Sequence, residues 1–136
     1  MESMYKIART HLPNEFGGIL MGYRGEDNDI IIDFDIPELF VQSKTGFTRF
    51  ADNLNKNIAN SYDISKGIIE YLGEWHTHPF SNPGYSTNDL NSMREISEDE
   101  KTKNSTPILI ILGLNETTYE HNVYQYCSNN LLMFIK

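Results

Sequence analysis

A chain of 136 residues with 39% hydrophobic and 12% aromatic content is large enough to bury one core, which excludes a disordered segment and predicts one domain over residues 1–136. Its formal net charge of -8, with no cluster of Lys or Arg, lacks the basic surface that displaces phosphate counterions; a protein partner with a basic face is expected, not nucleic acid. No apolar run is long enough to cross a bilayer, the opening MESMYKIART has no leader-like apolar middle, and a single Cys forbids an internal disulfide, which together predict a cytoplasmic protein.

Met4, Ile7, Ala8 and Leu12 mark one face of a short helix that Pro13-Asn14 ends. His11 stands at that end, where a cation suits the helix dipole. Phe16 to Tyr23 (FGGILMGY) reads as a strand whose Gly17 and Gly18 admit close approach by a neighbour. Gly25 to Asn28 is a turn, Ile30 to Phe34 a second strand and Glu38 to Val41 a third. The stretch from Glu38 to Arg49, with Gly46 and several polar residues, reads either as a flexible substrate loop or as an ordinary connection.

Phe50, Leu54, Ile58 and Tyr62 recur every four residues and predict a helix with one apolar stripe. Ile68 to Leu72 is a short strand. Ser86 to Ser97 reads as a helix with Leu90, Met93 and Ile96 inward, and Glu98 to Thr106 as a polar loop. Ile108 to Leu112 (ILIIL) is a continuous apolar run, hence a strand buried on both faces. Thr118 to Tyr126 and Leu131 to Ile135 form a closing pair of strands, with His121 structural and Cys127 a small buried hydrophobe. The fold class is therefore α+β, a mixed sheet flanked by two or three helices.

The chemistry concentrates in GEWHTHPFSNPGYSTND, Gly73 to Asp89. His76 and His78 would diverge on a helix but point to one side of an extended segment. The preceding strand and Pro79 favour extension. Two imidazoles on one side are half of a zinc site, although the pair alone reads first as surface or packing histidines. Ser86 and Asp89 read first as a capping box ahead of the helix. That cap also fixes the direction of the Asp89 carboxylate, and a third ligand on a rigid element is what a catalytic zinc site needs, with a fourth position left open to water. Water on such a centre needs a proton acceptor, and Glu15, Glu70 and Glu74 all remain candidates on the residues alone. Trp75 alternates with the motif residues and reads as core packing.

Glu15 ahead of GGILMG, the His76-Thr77-His78-Pro79 run, and Ser86 and Asp89 with Pro79 to Asn88 filling the interval resemble the signature of the JAMM metalloproteases. The resemblance implies a JAB/MPN-like (cytidine deaminase-like) fold, one catalytic Zn²⁺ held by His76, His78 and Asp89, Glu15 as general base and acid, and Ser86 as hydroxyl donor to the developing oxyanion. It implies hydrolysis of the isopeptide or peptide bond after the C-terminal tail of a ubiquitin-like modifier. The GEWHTHP context further resembles short prokaryotic JAB proteins encoded beside E1- and E2-like enzymes, including deconjugases of CBASS antiphage systems. Rival expectations are a peptidase acting on a ubiquitin-like sulfur carrier and a non-catalytic scaffold, whose members have usually lost metal ligands. DNA-repair RadC-like proteins share the fold, but their HNHP and Ser-Gly pattern is missing from this chain.

Overall fold

The computed structural model describes residues 1–50 and 52–134. Its elements are α1 (Glu2–Arg9), β1 (Gly17–Arg24), β2 (Asp29–Asp35), β3 (Phe40–Gln42), β4 (Phe47–Arg49), α2 (Asp52–Ile64), β5 (Glu70–Pro79), α3 (Thr87–Glu98), β6 (Ile108–Leu114), β7 (Tyr119–Cys127) and β8 (Asn130–Met133). Six strands form one sheet in the order β2-β1-β5-β6-β7-β8. Only β5 and β6 run parallel, with α3 in the crossover between them; every other neighbouring pair is antiparallel. The expected α+β class with a mixed sheet and flanking helices is what the chain adopts.

The sheet is packed on both faces, which explains the unbroken apolar run of β6. Ile108, Ile110 and Leu112 face α1 and join Met4, Tyr5, Ala8, Phe16, Leu20 and Trp75. Leu109 and Ile111 face the other way, toward Met93 of α3. Leu54 of α2 packs on Ile19, Met21 and Tyr71. The period of two along a strand sends alternate residues to two different cores.

Gly17 and Gly18 do meet close neighbours: a Cβ on Gly17 would strike the Trp75 carbonyl oxygen, and one on Gly18 the Asp35 carbonyl oxygen. This lets β1 lie tightly between β2 and β5, so the start of β1 stands beside the histidine-bearing end of β5. Trp75, at 1% exposure, is core as expected, its Nε1 donating to the Asp35 carbonyl at 3.3 Å.

Several expectations are corrected. The histidine motif does not follow a strand; it is the C-terminal half of one, since β5 runs on through Pro79. The α2 stripe is carried by Leu54 and Ile58, while Phe50 precedes the helix and Tyr62 is half exposed. Helix α1 ends before Leu12, and His11, just past the helix end, stacks flat on Phe16 with ring centroids 3.7 Å apart. Cys127 is exposed, because Tyr126 takes the inward position beside it and the chain then turns through Ser128 and Asn129, both at positive φ. Ile135, placed in the last expected strand, lies outside the described residues.

The stretch from Glu38 to Arg49 is neither a loop nor a simple connection. β3 and β4 form an antiparallel hairpin, Phe40 opposite Arg49 and Gln42 opposite Phe47. Phe40 and Phe47 both meet the Phe16 ring edge-on, at 5.2 and 5.5 Å. Those contacts set the hairpin over the start of β1.

Candidate metal centre and active site

His76 and His78 lie two apart on an extended strand, so their rings share one face, with Thr77 between them turned inward at 1% exposure. His76 Nε2 and His78 Nε2 are 3.3 Å apart. On the adjoining helix, Ser86 is the N-cap of α3 and the capping box is complete: Asp89 N–H donates to Ser86 Oγ at 3.1 Å and Ser86 N–H donates to Asp89 Oδ2 at 2.8 Å. The cap aims the Asp89 carboxylate back at the strand. Its Oδ1 lies 2.9 Å from His76 Nε2 and its Oδ2 3.3 Å from His78 Nε2.

These separations test whether the three side chains suit a metal ion. Zinc bonds of about 2.0–2.1 Å in tetrahedral array place neighbouring donor atoms roughly 3.3–3.4 Å apart. The 3.3 Å between the two histidine Nε2 atoms matches that, one Asp89 oxygen faces each ring at 2.9 and 3.3 Å, and one donor atom from each of the three residues lies within 4.8 Å of the others. Two imidazoles and one carboxylate are also a donor set that zinc accepts.

The electrostatics agree with a tightly coupled cluster. Burial works against ionisation of Asp89, but hydrogen bonds from His76 and His78 outweigh it and hold the carboxyl well below its ordinary range. The hydrogen bond to Asp89 raises His78 in turn, against the opposing effect of burial. Glu15 lines the same cavity, about 710 Å³ in volume, with Ser86, Asp89 and both histidines. Burial raises its pKa; the charges of His76 and His78 pull it down, and that of Asp89 pushes it up. A carboxylate whose proton affinity is raised toward neutrality suits proton acceptance.

The other two glutamates each have a cation of their own. Glu70 is 3.2 Å from Arg24 Nε and does not line this cavity. Glu74 does line it, but its Oε1 and Oε2 accept from Arg49 Nε and Nη2 at 2.8 and 3.0 Å, and Oε2 accepts from the Tyr71 hydroxyl at 2.5 Å. Burial opposes the charge on Arg49, yet the Glu74 carboxylate beside it holds the guanidinium protonated above its ordinary value. Five expected residues, Glu15, His76, His78, Ser86 and Asp89, thus meet in one cavity. Sequence reasoning offered the stretch from Glu38 to Arg49 as a substrate loop but missed that it folds as a hairpin, of which Lys44 to Arg49 line the cavity. Its signal was the alternation of FVQ and FTR around the turn residues Ser43 to Gly46.

The chain has relatives among known proteins. Residues 1–124 match the family described as prokaryotic homologs of the JAB domain. A CD-NTase/cGAS isopeptidase of Enterobacter hormaechei is 32% identical over 100 residues, covering 74% of this chain and 56% of that protein. A protein of the same name from Vibrio cholerae is 30% identical over 105 residues, 76% of this chain and 64% of the relative. A probable metalloprotease of Sinorhizobium fredii is 28% identical over 115 residues, 82% and 70% of the two chains. The chain therefore spans only part of the length of these isopeptidases. Among solved structures, a protein of Desulfitobacterium hafniense aligns over 98% of this chain and 84% of its own with a TM-score of 0.69 at 21% identity, which shows a shared fold.

Proposed function

Since the chain belongs to the prokaryotic JAB family, short relatives of the JAMM metalloproteases, we propose that it is a zinc-dependent isopeptidase that cuts after the C-terminal tail of a ubiquitin-like modifier. The observation that carries this reading is the convergence of His76, His78 and Asp89 to within 2.9–3.3 Å in the cavity that also holds Glu15. Those three side chains would hold the ion. When bound, a zinc ion supplies a Lewis acid that lowers the pKa of water and polarises a carbonyl.

The chain's own residues supply the rest. Glu15 takes a proton from the attacking water and later gives it to the leaving lysine amine, so the C–N bond breaks to a carboxylate and a free amine. The Ser86 hydroxyl already accepts a hydrogen bond from Asp89 N–H through a lone pair. Its own proton remains free to donate to the oxyanion of the tetrahedral intermediate, worth about 2.7–4 kcal/mol if it acts like other single donors. Arg49, Lys44 and Phe47 line the same cavity and would flank an extended tail bound there.

We read residues 1–136 as one JAB/MPN domain. The names of the relatives support an isopeptidase, and the resemblance of the GEWHTHP stretch carries the further reading of a conjugation system with E1/E2-like enzymes in bacterial antiphage defence. The single Cys supports the cytoplasm as its compartment. No helix among the described residues is long and apolar enough to cross a membrane.

The deciding experiment uses two substrates: a fluorescent lysine peptide joined through its ε-amine to the C-terminal carboxyl of a bacterial ubiquitin-like protein, and the same modifier extended by a linear peptide. Cleavage of the first, abolished by chelator and restored by zinc, is expected. Cleavage of the linear substrate alone would favour precursor or sulfur-carrier processing. No cleavage of either by protein shown to contain zinc would favour a scaffold.

A further inference from the structure

Glu15 lies in the segment between α1 and β1, outside any helix or strand. A reactive side chain on such backbone keeps its place only if its peptide groups are tied down. Both peptide groups of Glu15 are tied, and both to the hairpin. Its N–H donates to the Ser43 carbonyl at 2.8 Å, and Gln42 Nε2 donates to its carbonyl oxygen at 3.0 Å. The Gln42 amide is oriented in turn: its Oε1 is 3.3 Å from His11 Nδ1, on the ring that lies flat against Phe16. With the proton on Nδ1, His11 donates to Oε1. The Glu15–Phe16 peptide is held on its other side as well, Phe16 N–H donating to Thr77 Oγ1 at 3.0 Å, and Thr77 N–H donates to the Phe16 carbonyl at 2.9 Å.

We propose that Gln42, oriented by His11, is a positioning residue for Glu15, so that the β3–β4 hairpin sets where the carboxylate stands against His76, His78 and Asp89. This rests on Glu15 being the proton acceptor. The hydrogen bonds of the Gln42 side chain go to His11 and Glu15 and to none of the three metal-binding candidates, and the bond from Thr77 N–H to the Phe16 carbonyl stays intact without it. Loss of the Gln42 donor therefore loosens the Glu15 peptide and leaves the metal centre in place. Misplacement of a reacting group by about 1 Å costs on the order of 100-fold in rate.

The test compares zinc-loaded wild type with Gln42→Met, His11→Phe and the double variant, on the lysine-linked conjugate described above. Gln42→Met keeps the side-chain length without the donor; His11→Phe keeps a ring on Phe16 without the hydrogen bond. Expected are unchanged zinc content and KM, a kcat lower by about 10- to 100-fold in Gln42→Met, and a smaller drop in His11→Phe. The double variant should be no slower than Gln42→Met, because His11 acts through Gln42. Hydrogen exchange at the Phe16 amide, whose peptide carries the carbonyl that Gln42 holds, should quicken in Gln42→Met while that at Thr77 does not, a readout that needs no substrate and is available in the zinc-free protein.

Wild-type kcat and wild-type exchange in a folded Gln42→Met overturn the proposal. So does a raised KM with kcat unchanged, which would make Gln42 a wall of the substrate cavity only, and so do additive losses in the double variant. Glu15→Gln separates the two layers. If it still cleaves, Glu15 is not the proton acceptor; if it is inactive while Gln42→Met behaves as wild type, the positioning role alone fails.

Discussion

Arg49 and Glu74 meet at two points, Nε to Oε1 at 2.8 Å and Nη2 to Oε2 at 3.0 Å, and so tie the last residue of β4 to the strand that carries His76 and His78. Tyr71 completes the triad; burial and the neighbouring Glu74 carboxylate push its hydroxyl well above the ordinary phenol range, so it stays a donor. Arg49→Met would leave a mostly buried carboxylate with only the Tyr71 proton. A stability loss of roughly 2–3 kcal/mol in urea unfolding is expected, with part recovered by Arg49→Lys, which keeps charge but not the two-point geometry. An unchanged unfolding midpoint in Arg49→Met would show that the hairpin is held by its phenylalanines alone.

Ser86 is assigned two duties that substitution can separate. Ser86→Ala loses the N-cap acceptor and should cost about 1 kcal/mol of stability. It also loses the hydroxyl proton, and turnover should fall further than unfolding explains. Ser86→Asp caps well and should restore stability, yet it has no proton to donate, so turnover should stay low. Equal recovery of both quantities in Ser86→Asp would reduce Ser86 to a helix cap.

The metal-binding candidates were legible because each obeys a local rule. Strand periodicity puts His76 and His78 on one face, and the Ser86 capping box aims Asp89. Glu15 could not be chosen from the residues alone, since nothing local separates it from Glu70 and Glu74. Their partners, Arg24 and Arg49, come from distant segments. The hairpin escaped because its strands have three residues each, too few for a period to declare itself. Gln42 escaped because its bonds to His11 and Glu15 span 31 and 27 residues, and such pairing exists only once β1, the hairpin and the turn after α1 have come together. Cys127 was misread because composition favours burial, whereas the strand's alternation gives the inward place to Tyr126.

The metal-free cluster should carry its own pH dependence. Asp89 is held below its ordinary 3.8, so its contribution to stability is present above that pH and is lost as pH falls through the lower folded value. His78 is held above 6.5, so its contribution is full below 6.5 and is lost as pH rises through the higher folded value. Both act together between those two ordinary values, and the pair weakens on the alkaline side. Metal needs unprotonated imidazoles, so affinity should climb over the interval in which the metal-free protein loses stability. In chelator-treated protein, the Tm should fall as pH rises above 6.5, with a smaller fall in Asp89→Asn, while zinc affinity rises with proton release detectable by calorimetry. A metal-free Tm that is flat across that range would remove the ion pair from the account.

Glu15→Gln makes the sharpest single prediction. Burial raises the Glu15 pKa above 4.5, so the folded state favours the neutral form, and the stability it gives is full below 4.5 and lost as pH rises through the folded value. Glutamine is neutral at every pH and nearly the same shape. The metal-free variant should therefore be more stable than wild type at neutral and alkaline pH and no more stable below 4.5, where the wild-type carboxyl is already protonated. With zinc loaded, cleavage of the lysine-linked conjugate should fall by about 100- to 10,000-fold, the usual span for loss of a general base. Zinc content should not change, because Glu15 is not among the residues whose donor atoms converge on the centre. Denaturation against pH, metal analysis and turnover on one preparation test all three statements. A variant that loses its zinc would place Glu15 among the ligands and force the proton acceptor to be sought elsewhere in the cavity.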